Sequence, residues 1–353
     1  MKTTRLKLTA LLLFLCIGLS NQLYASDDYT KTFDGKYAVK EGSQLTIENK
    51  YGDIEIKNWE IDSVVIKATI TVHAANEAKA ESLFKGIDIN MDQIGETIMA
   101  FTEMEKSFKT GNKFSIDYEV FMPEYIQISL NNKFGDIYIN TVTAKTNINL
   151  SYGNLLAEKL LYPNEKPLSS INLSYAKATI NECNRTKLTL KYSKMNIGTS
   201  EALVVVSRFS KLHLDNNLSL IADSKYDAID VLNTESLLVS KGQYSDIKIG
   251  NINKSLDLNL RYGNCKVDNV SANFESINVD NQYVPCRIII AEEASYMLDA
   301  ETEYCGISYP TESQVIEEFK DNSSSKIKVL VGEKTSPEAG VHIISKYGNI
   351  SLK

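Results

Sequence analysis

Histidine is nearly missing from this chain: three occur in 353 residues, at positions 73, 213 and 342. Each stands between apolar positions in a strand-like run, as in Leu212-His213-Leu214, so each is expected on an outer strand face rather than in a ligand set. No Gly-x-Ser-x-Gly, P-loop, His-Glu-x-x-His or EF-hand pattern occurs, and the Gly-rich calcium nonapeptide of some β-rolls is missing. The five cysteines include no Cys-x-x-Cys pair, which removes the common zinc frameworks. These absences predict no metal and no cofactor. Six prolines and no Pro/Gly/Ser-rich linker leave no division into separate units. Basic residues number 38 against 45 acidic ones, a net charge of −7, which argues against a nucleic-acid partner.

What is present begins with an export signal. Lys2, Arg5 and Lys7 precede an apolar run from Leu8 to Leu19, and a polar stretch leads to Leu23-Tyr24-Ala25. The run is too short for a membrane span and has the proportions of a signal peptide over residues 1–25, cut after Ala25. Leu15 stands before Cys16 where a lipobox needs a small residue. No later segment is apolar enough to cross a bilayer. The mature chain is therefore expected to be exported without a transmembrane segment.

Beyond the signal, one pattern recurs: an aromatic, usually a small residue, a charged or turn-type residue, then alternating apolar positions. The clearest copies are Tyr51-Gly52-Asp53-Ile54-Glu55-Ile56, Phe134-Gly135-Asp136-Ile137-Tyr138-Ile139 and Tyr347-Gly348-Asn349-Ile350-Ser351-Leu352. Weaker copies centre on Tyr152, Tyr175, Tyr192, Phe209, Tyr226, Tyr244, Tyr262, Tyr283 and Tyr304, spaced mostly by 17 or 18 residues and later by 21. Apolar residues fill the positions three and five after the aromatic. They also fill the position four before it, with Ala222, Ser240 and Ala300 as lapses. Alternation on each side means strands with one buried face. The parity change between the two sides demands a bend, expected at the small residue after the aromatic, with the aromatics pointing inward. The fold predicted is all-β: a single-stranded parallel β-solenoid of 17–21-residue coils, each too small to hide its apolar face alone. A weak coil is expected at Ile327 to Val331.

Between Trp59 and Tyr125 the period stops. Ala74 to Lys85 is rich in helix formers, and strand-like runs surround it. This α+β excursion is expected to cap the solenoid, giving residues 26–125 as first coil plus cap and 126–353 as repeats. The run Leu45 to Ile56, then Trp59, the helix and Phe134 to Ile139 resembles the bacterial DUF4097 "putative adhesin" family. More distantly it is similar to DUF2807 auto-transporter adhesin heads. The resemblance covers nearly all of the mature chain. It implies a β-helical exported bacterial protein with an adhesive role and brings no catalytic residues.

Candidate chemistry is sparse. Cys265 and Cys286 hold the same position in adjacent coils and read either as buried thiols or as a disulfide across stacked strands. Polysaccharide enzymes also use β-helices, but Asp53, Asp136 and Asp246 are not expected on adjacent coils, and no paired carboxylates for glycoside cleavage are evident, so no enzyme is expected. Basic residues recur just before the aromatic, among them Lys191, Arg208 and Lys225, and two after it at Lys177, Lys194 and Lys211. These six form either a polyanion-binding ridge or a solvated face that discourages edge pairing. The functional expectation is a non-catalytic adhesin or cell-envelope binding module whose partner is a glycan or another envelope protein. A periplasmic accessory factor in envelope signalling or assembly is the alternative. The chain ends at Lys353 with no sorting motif or barrel, which keeps periplasm and cell surface both open.

Overall fold

The computed structural model describes residues 27–164 and 166–353; the expected export signal over residues 1–25 lies outside them. The architecture is a β-solenoid. Successive coils stack their strands in parallel and in register, so that like positions form ladders. Leu130, Ile148, Ile171, Leu188, Val205 and Ala222 follow one another on the strands before the corner. Ile137, Leu155, Ala178, Met195, Leu212 and Ile229 do so after it. All are buried. The lapses have simple causes. Ala222 and Ala300 are fully buried core residues. Ser240 lies at a β-bulge: Val239 pairs with Ala222 and Lys241 with Asp223, so Val239 takes the inward position and Ser240 is the extra residue. This bulge accounts for one of the 18-residue steps among steps of 17.

The bend falls one residue earlier than the pattern predicts. All twelve corner aromatics, from Tyr51 to Tyr347, have φ between +51° and +68°. A left-handed residue reverses the side-chain parity and swings its own side chain out. The ladder aromatics therefore stand outside the core, contrary to the expected inward orientation. Where the next residue is Gly, it is short of room. A Cβ on Gly135 would lie 1.9 Å from the Gly52 carbonyl oxygen on the neighbouring coil.

Two hydrogen-bonding schemes hold the corners together. In the Gly corners an acidic residue two after the aromatic accepts from the next coil: Asp53 Oδ1 takes the Asp136 amide at 2.7 Å, and Asp136 Oδ1 takes the Asn154 amide at 2.7 Å. In the central corners the residue just after the aromatic does this work. Ser193 Oγ accepts the Ala176 amide, Ser210 Oγ the Ser193 amide and Asp227 Oδ1 the Ser210 amide. Ser or Asp thus replaces Gly where the side chain, rather than a residue further on, satisfies the corner amide.

At the amino-terminal end the excursion covers the first coil. Thr97–Met104 pairs in parallel with Gln44–Lys50, and Phe114–Met122 with Ile54–Asn58. Ser63–Ala74 then joins Phe114–Met122 in antiparallel fashion, with Asp27–Ala38 outside it. The helix spans Glu77–Phe84, shorter than the expected 74–85, because Ala74 ends a strand and Asn76 caps the helix by accepting the Lys79 amide at 2.9 Å.

The far end departs from chain order. Ser276–Gln282 does not pair with Tyr296–Glu303. Ala339–Lys346 lies between them, parallel to both, so the corners run Tyr283, Tyr347, Tyr304. The expected coil at Ile327 to Val331 is instead part of Ser324–Val331, which runs antiparallel to Tyr296–Glu303. It buries Ile327, Val329 and Val331 over the last core layer. Gln314–Lys320, exposed along its length, is the strand outside it. An antiparallel hairpin closes this end because a further parallel coil would leave another open core face.

Candidate functional site: an exposed aromatic ladder

Each corner places one ring directly above the last. From Tyr51 to Tyr304, ring centroids are 4.7–5.3 Å apart and planes tilt by 2–20°. The spacing is the distance between neighbouring strands, so the backbone dictates it, and the pile extends roughly 50 Å along the solenoid. Phe114 closes the Tyr51 end edge-on at 5.2 Å. Beyond Tyr51 the rings remain about half exposed, from 39% at Phe134 to 57% at Tyr304. Ring faces are covered by neighbouring rings, so what meets solvent is a row of ring edges. Aromatic edges carry the positive end of the ring quadrupole. No phenolic oxygen of Tyr175, Tyr192, Tyr226, Tyr244 or Tyr262 has a hydrogen-bond partner among the described residues, which leaves these hydroxyls free to meet a ligand.

Left-handed backbone costs a non-glycine residue roughly 1–2 kcal/mol. One stacked pair per coil returns roughly 0.5–1.5 kcal/mol. The two nearly cancel, so the ladder's net contribution is mainly the burial of the covered ring faces.

The six predicted basic residues divide into two rows. Lys191, Arg208 and Lys225 are register partners on the strand side before the rings. Arg208 is held by Asp223 at 2.9 Å and by two backbone carbonyls, and the Lys225 ammonium lies 5.4 Å from the Tyr226 ring centre. Other members of this row are occupied in the same ways: Lys50 and Lys133 sit over their own rings, Arg261 reaches Asp280 and Lys346 reaches Glu303. Lys177, Lys194 and Lys211 are register partners on the other side. All three are exposed, and none forms an ion pair among the described residues. They line a shallow groove of about 670 Å³ with Tyr175, Tyr192 and Phe209. Asp227 closes one end, both its oxygens occupied by the Ser210 amide, the Ser224 hydroxyl and the Lys225 amide.

Other groups carry less. Asp53 and Asp136 do lie on adjacent coils, contrary to expectation, because the excursion between them folds back and lets their strands pair. Asp117 stands beside them, its Oδ1 accepting the Asp53 amide at 2.9 Å. Burial, and the charges of Asp136 and Asp117, raise the Asp53 pKa above the ordinary carboxylate value. Yet each of the three carboxylates holds a backbone amide, the arrangement of a structural brace. A second groove near Asn217 and Asn233 is lined by amides bonded to one another and to Ser200. Cys265 and Cys286 are register partners and free thiols. Hydrogen bonding to Cys286, with burial, pushes the Cys265 thiol well above its ordinary value. His213 bridges Asp215 at 3.0 Å and Asp230 at 3.3 Å on an outer strand face. The free Lys row was legible in the sequence. The partners of Arg208 and Lys225 were not, because Asp223 stands on the next coil and a ring beside Lys225 looks like core.

No protein-family profile matches the chain, and no curated protein matches it. Among solved structures it is similar to a "putative adhesin" from Bacteroides fragilis NCTC 9343, at 12% identity over 92% of this chain and 97% of that one, TM-score 0.26. It is also similar to a "putative adhesin" from Parabacteroides merdae ATCC 43184, at 11% identity over 92% and 96%, TM-score 0.28. A "putative lipid binding protein" from Parabacteroides distasonis ATCC 8503 shares 9% identity over 93% and 98%, TM-score 0.31. Likeness at this level fixes neither a site nor a ligand.

Proposed function

We propose that this chain is an exported, non-catalytic binding module of a bacterial cell envelope, of the adhesin type that the DUF4097 resemblance implies. The observation that carries this reading is the ladder: rings are held half exposed on every coil, in one unbroken file. Contiguous exposed apolar surface of this extent marks recognition rather than packing. The stiff stack of coils keeps the rings in line, so the surface is ready without rearrangement.

The test is retention of the purified protein on an envelope fraction. Tyr192→Asn with Phe209→Asn removes two central rings, and Asn tolerates the left-handed backbone. Retention is expected to fall while a cooperative thermal melt shows that the variant still folds; undiminished retention would refute a role for the ladder. Release of reducing ends from envelope polysaccharide by the wild type would refute the non-catalytic part. Protease treatment of intact cells addresses the location. Cleavage fits the surface, and protection fits the periplasmic accessory role.

A further inference from the structure

We infer that the groove beside Tyr175, Tyr192 and Phe209 takes a linear acidic polysaccharide, one sugar per coil, with successive carboxylates on Lys177, Lys194 and Lys211. This rests on the binding role proposed above and names its ligand class.

Three observations converge. First, the three lysines face one groove at the inter-strand repeat and have no carboxylate of their own, whereas on the row across the rings Arg208 is held by Asp223 and Lys225 lies against the Tyr226 ring. Repulsion among three stacked ammonium groups is relieved by a ligand carrying anions at the same repeat. Second, the groove wall is built of ring edges and free phenolic hydroxyls. Edges and hydroxyls suit sugar oxygens, and the edge polarity adds to the attraction for carboxylates. Third, the repeat fits. An extended chain of linked pyranoses advances per sugar by about the distance between neighbouring strands.

The geometry also selects against other occupants. Single-stranded nucleic acid binds by stacking bases on aromatic faces, and here every face is covered by the next ring. A membrane surface would meet only a single file of three charges, fewer than the roughly four to eight basic residues that mark an anionic-lipid site. The basic stretch is bounded along the same row: Asp136 and Asn154 stand on the coils before Lys177, and Ala228 and Asp246 follow Lys211. The site is therefore short, and charge confines the ligand to the middle of the ladder although the chain as a whole is acidic.

The experiment titrates the full exported chain with size-graded oligomers of polymannuronate, polyguluronate and polygalacturonate, beside neutral mannan oligomers. Affinity for at least one acidic series is expected to climb with length up to about four sugars and then level, and to fall with added salt. Changing Lys177, Lys194 and Lys211 together to Gln is expected to weaken it about tenfold, as for three exposed ion pairs. Lys191→Gln is the control and leaves it unchanged. The Gln variants are solvent-facing, and an unaltered thermal melt shows that they fold. Equal binding of acidic and neutral oligomers, no binding of any acidic series, or full affinity in the triple variant overturns the inference. So does binding to phosphatidylglycerol vesicles without binding to oligomers, which assigns the row to lipid. If the envelope fraction still retains the protein while every oligomer fails, only the ligand class falls. If neither binds, the binding role falls with it.

Discussion

Replacing Phe209 by Asn and, separately, Leu212 by Ala measures which side of the corner is the core. Phe209 stacks on Tyr192 at 5.0 Å and on Tyr226 at 4.8 Å, with half of its surface exposed. Losing two stacked pairs costs about 1–3 kcal/mol. Asn accepts the φ of +54° more readily than Phe, which offsets roughly 1 kcal/mol of that. Burial of the covered half of the ring adds about 1 kcal/mol, so the net loss is about 1–3 kcal/mol. Leu212 is 2% exposed and lies between Met195 and Ile229 on the adjoining coils. Its truncation leaves a cavity that two rigid neighbours hold open, at about 2–5 kcal/mol. Guanidinium unfolding followed by tyrosine fluorescence gives the two midpoints. A stacked array can melt in parts, so hydrogen exchange on the flanking coils is read alongside. The expectation is a larger loss for Leu212→Ala, with exchange accelerated on both sides. A loss from Phe209→Asn equal to or above that of Leu212→Ala would place the ring inside and refute the outward ladder.

Gly135→Ala drives a Cβ into the Gly52 carbonyl and is expected to destabilise by about 3 kcal/mol or more, whereas Gly340→Ala meets nothing within 4 Å and should be near neutral in a thermal melt. Ending the chain after residue 333 removes the strand between Ser276–Gln282 and Tyr296–Glu303; limited proteolysis should then digest residues 284–333 while residues 27–270 persist, and resistance of the whole would refute the pairing order. Burial pushes the Cys183 thiol up to about 12. At pH 8 only about one such thiol in ten thousand is the reactive thiolate. Iodoacetamide should therefore modify the partly exposed Cys305 well before Cys183, as read by peptide mass mapping, and equal rates would refute a closed core at that coil.

The solenoid itself was legible because its cause is local. Every coil must bury the same few positions, so Ile148, Ile171, Leu188 and Val205 repeat at one offset from the aromatic. The side on which the aromatic lies was not legible from hydrophobicity. A Tyr reads as core until the parity change is assigned to a left-handed residue, and Gly after Tyr invites assigning it one residue late. The order of the last coils was hidden for a different reason. Tyr347-Gly348-Asn349 fits beside any Gly or small-residue corner, so adjacency in the chain was the only guide, and the hairpin overrode it. In the site, Lys177, Lys194 and Lys211 were visible as a row. That Arg208 is neutralised depends on a diagonal neighbour, which a single-coil alignment does not show.

The strand Ala339–Lys346 sits between two walls that both precede it in the chain. A polypeptide is made amino end first. Coils up to Tyr283 can be laid down one by one as they emerge, each on a finished template. The next one cannot: residues 296–331 arrive while the place beside them is still vacant, and must wait apart from the stack. Only the later segment, sliding into that slot, bonds both sides at once. The growing zip thus ends in a latch, and locking of this end reports that everything upstream of the bolt has already been delivered.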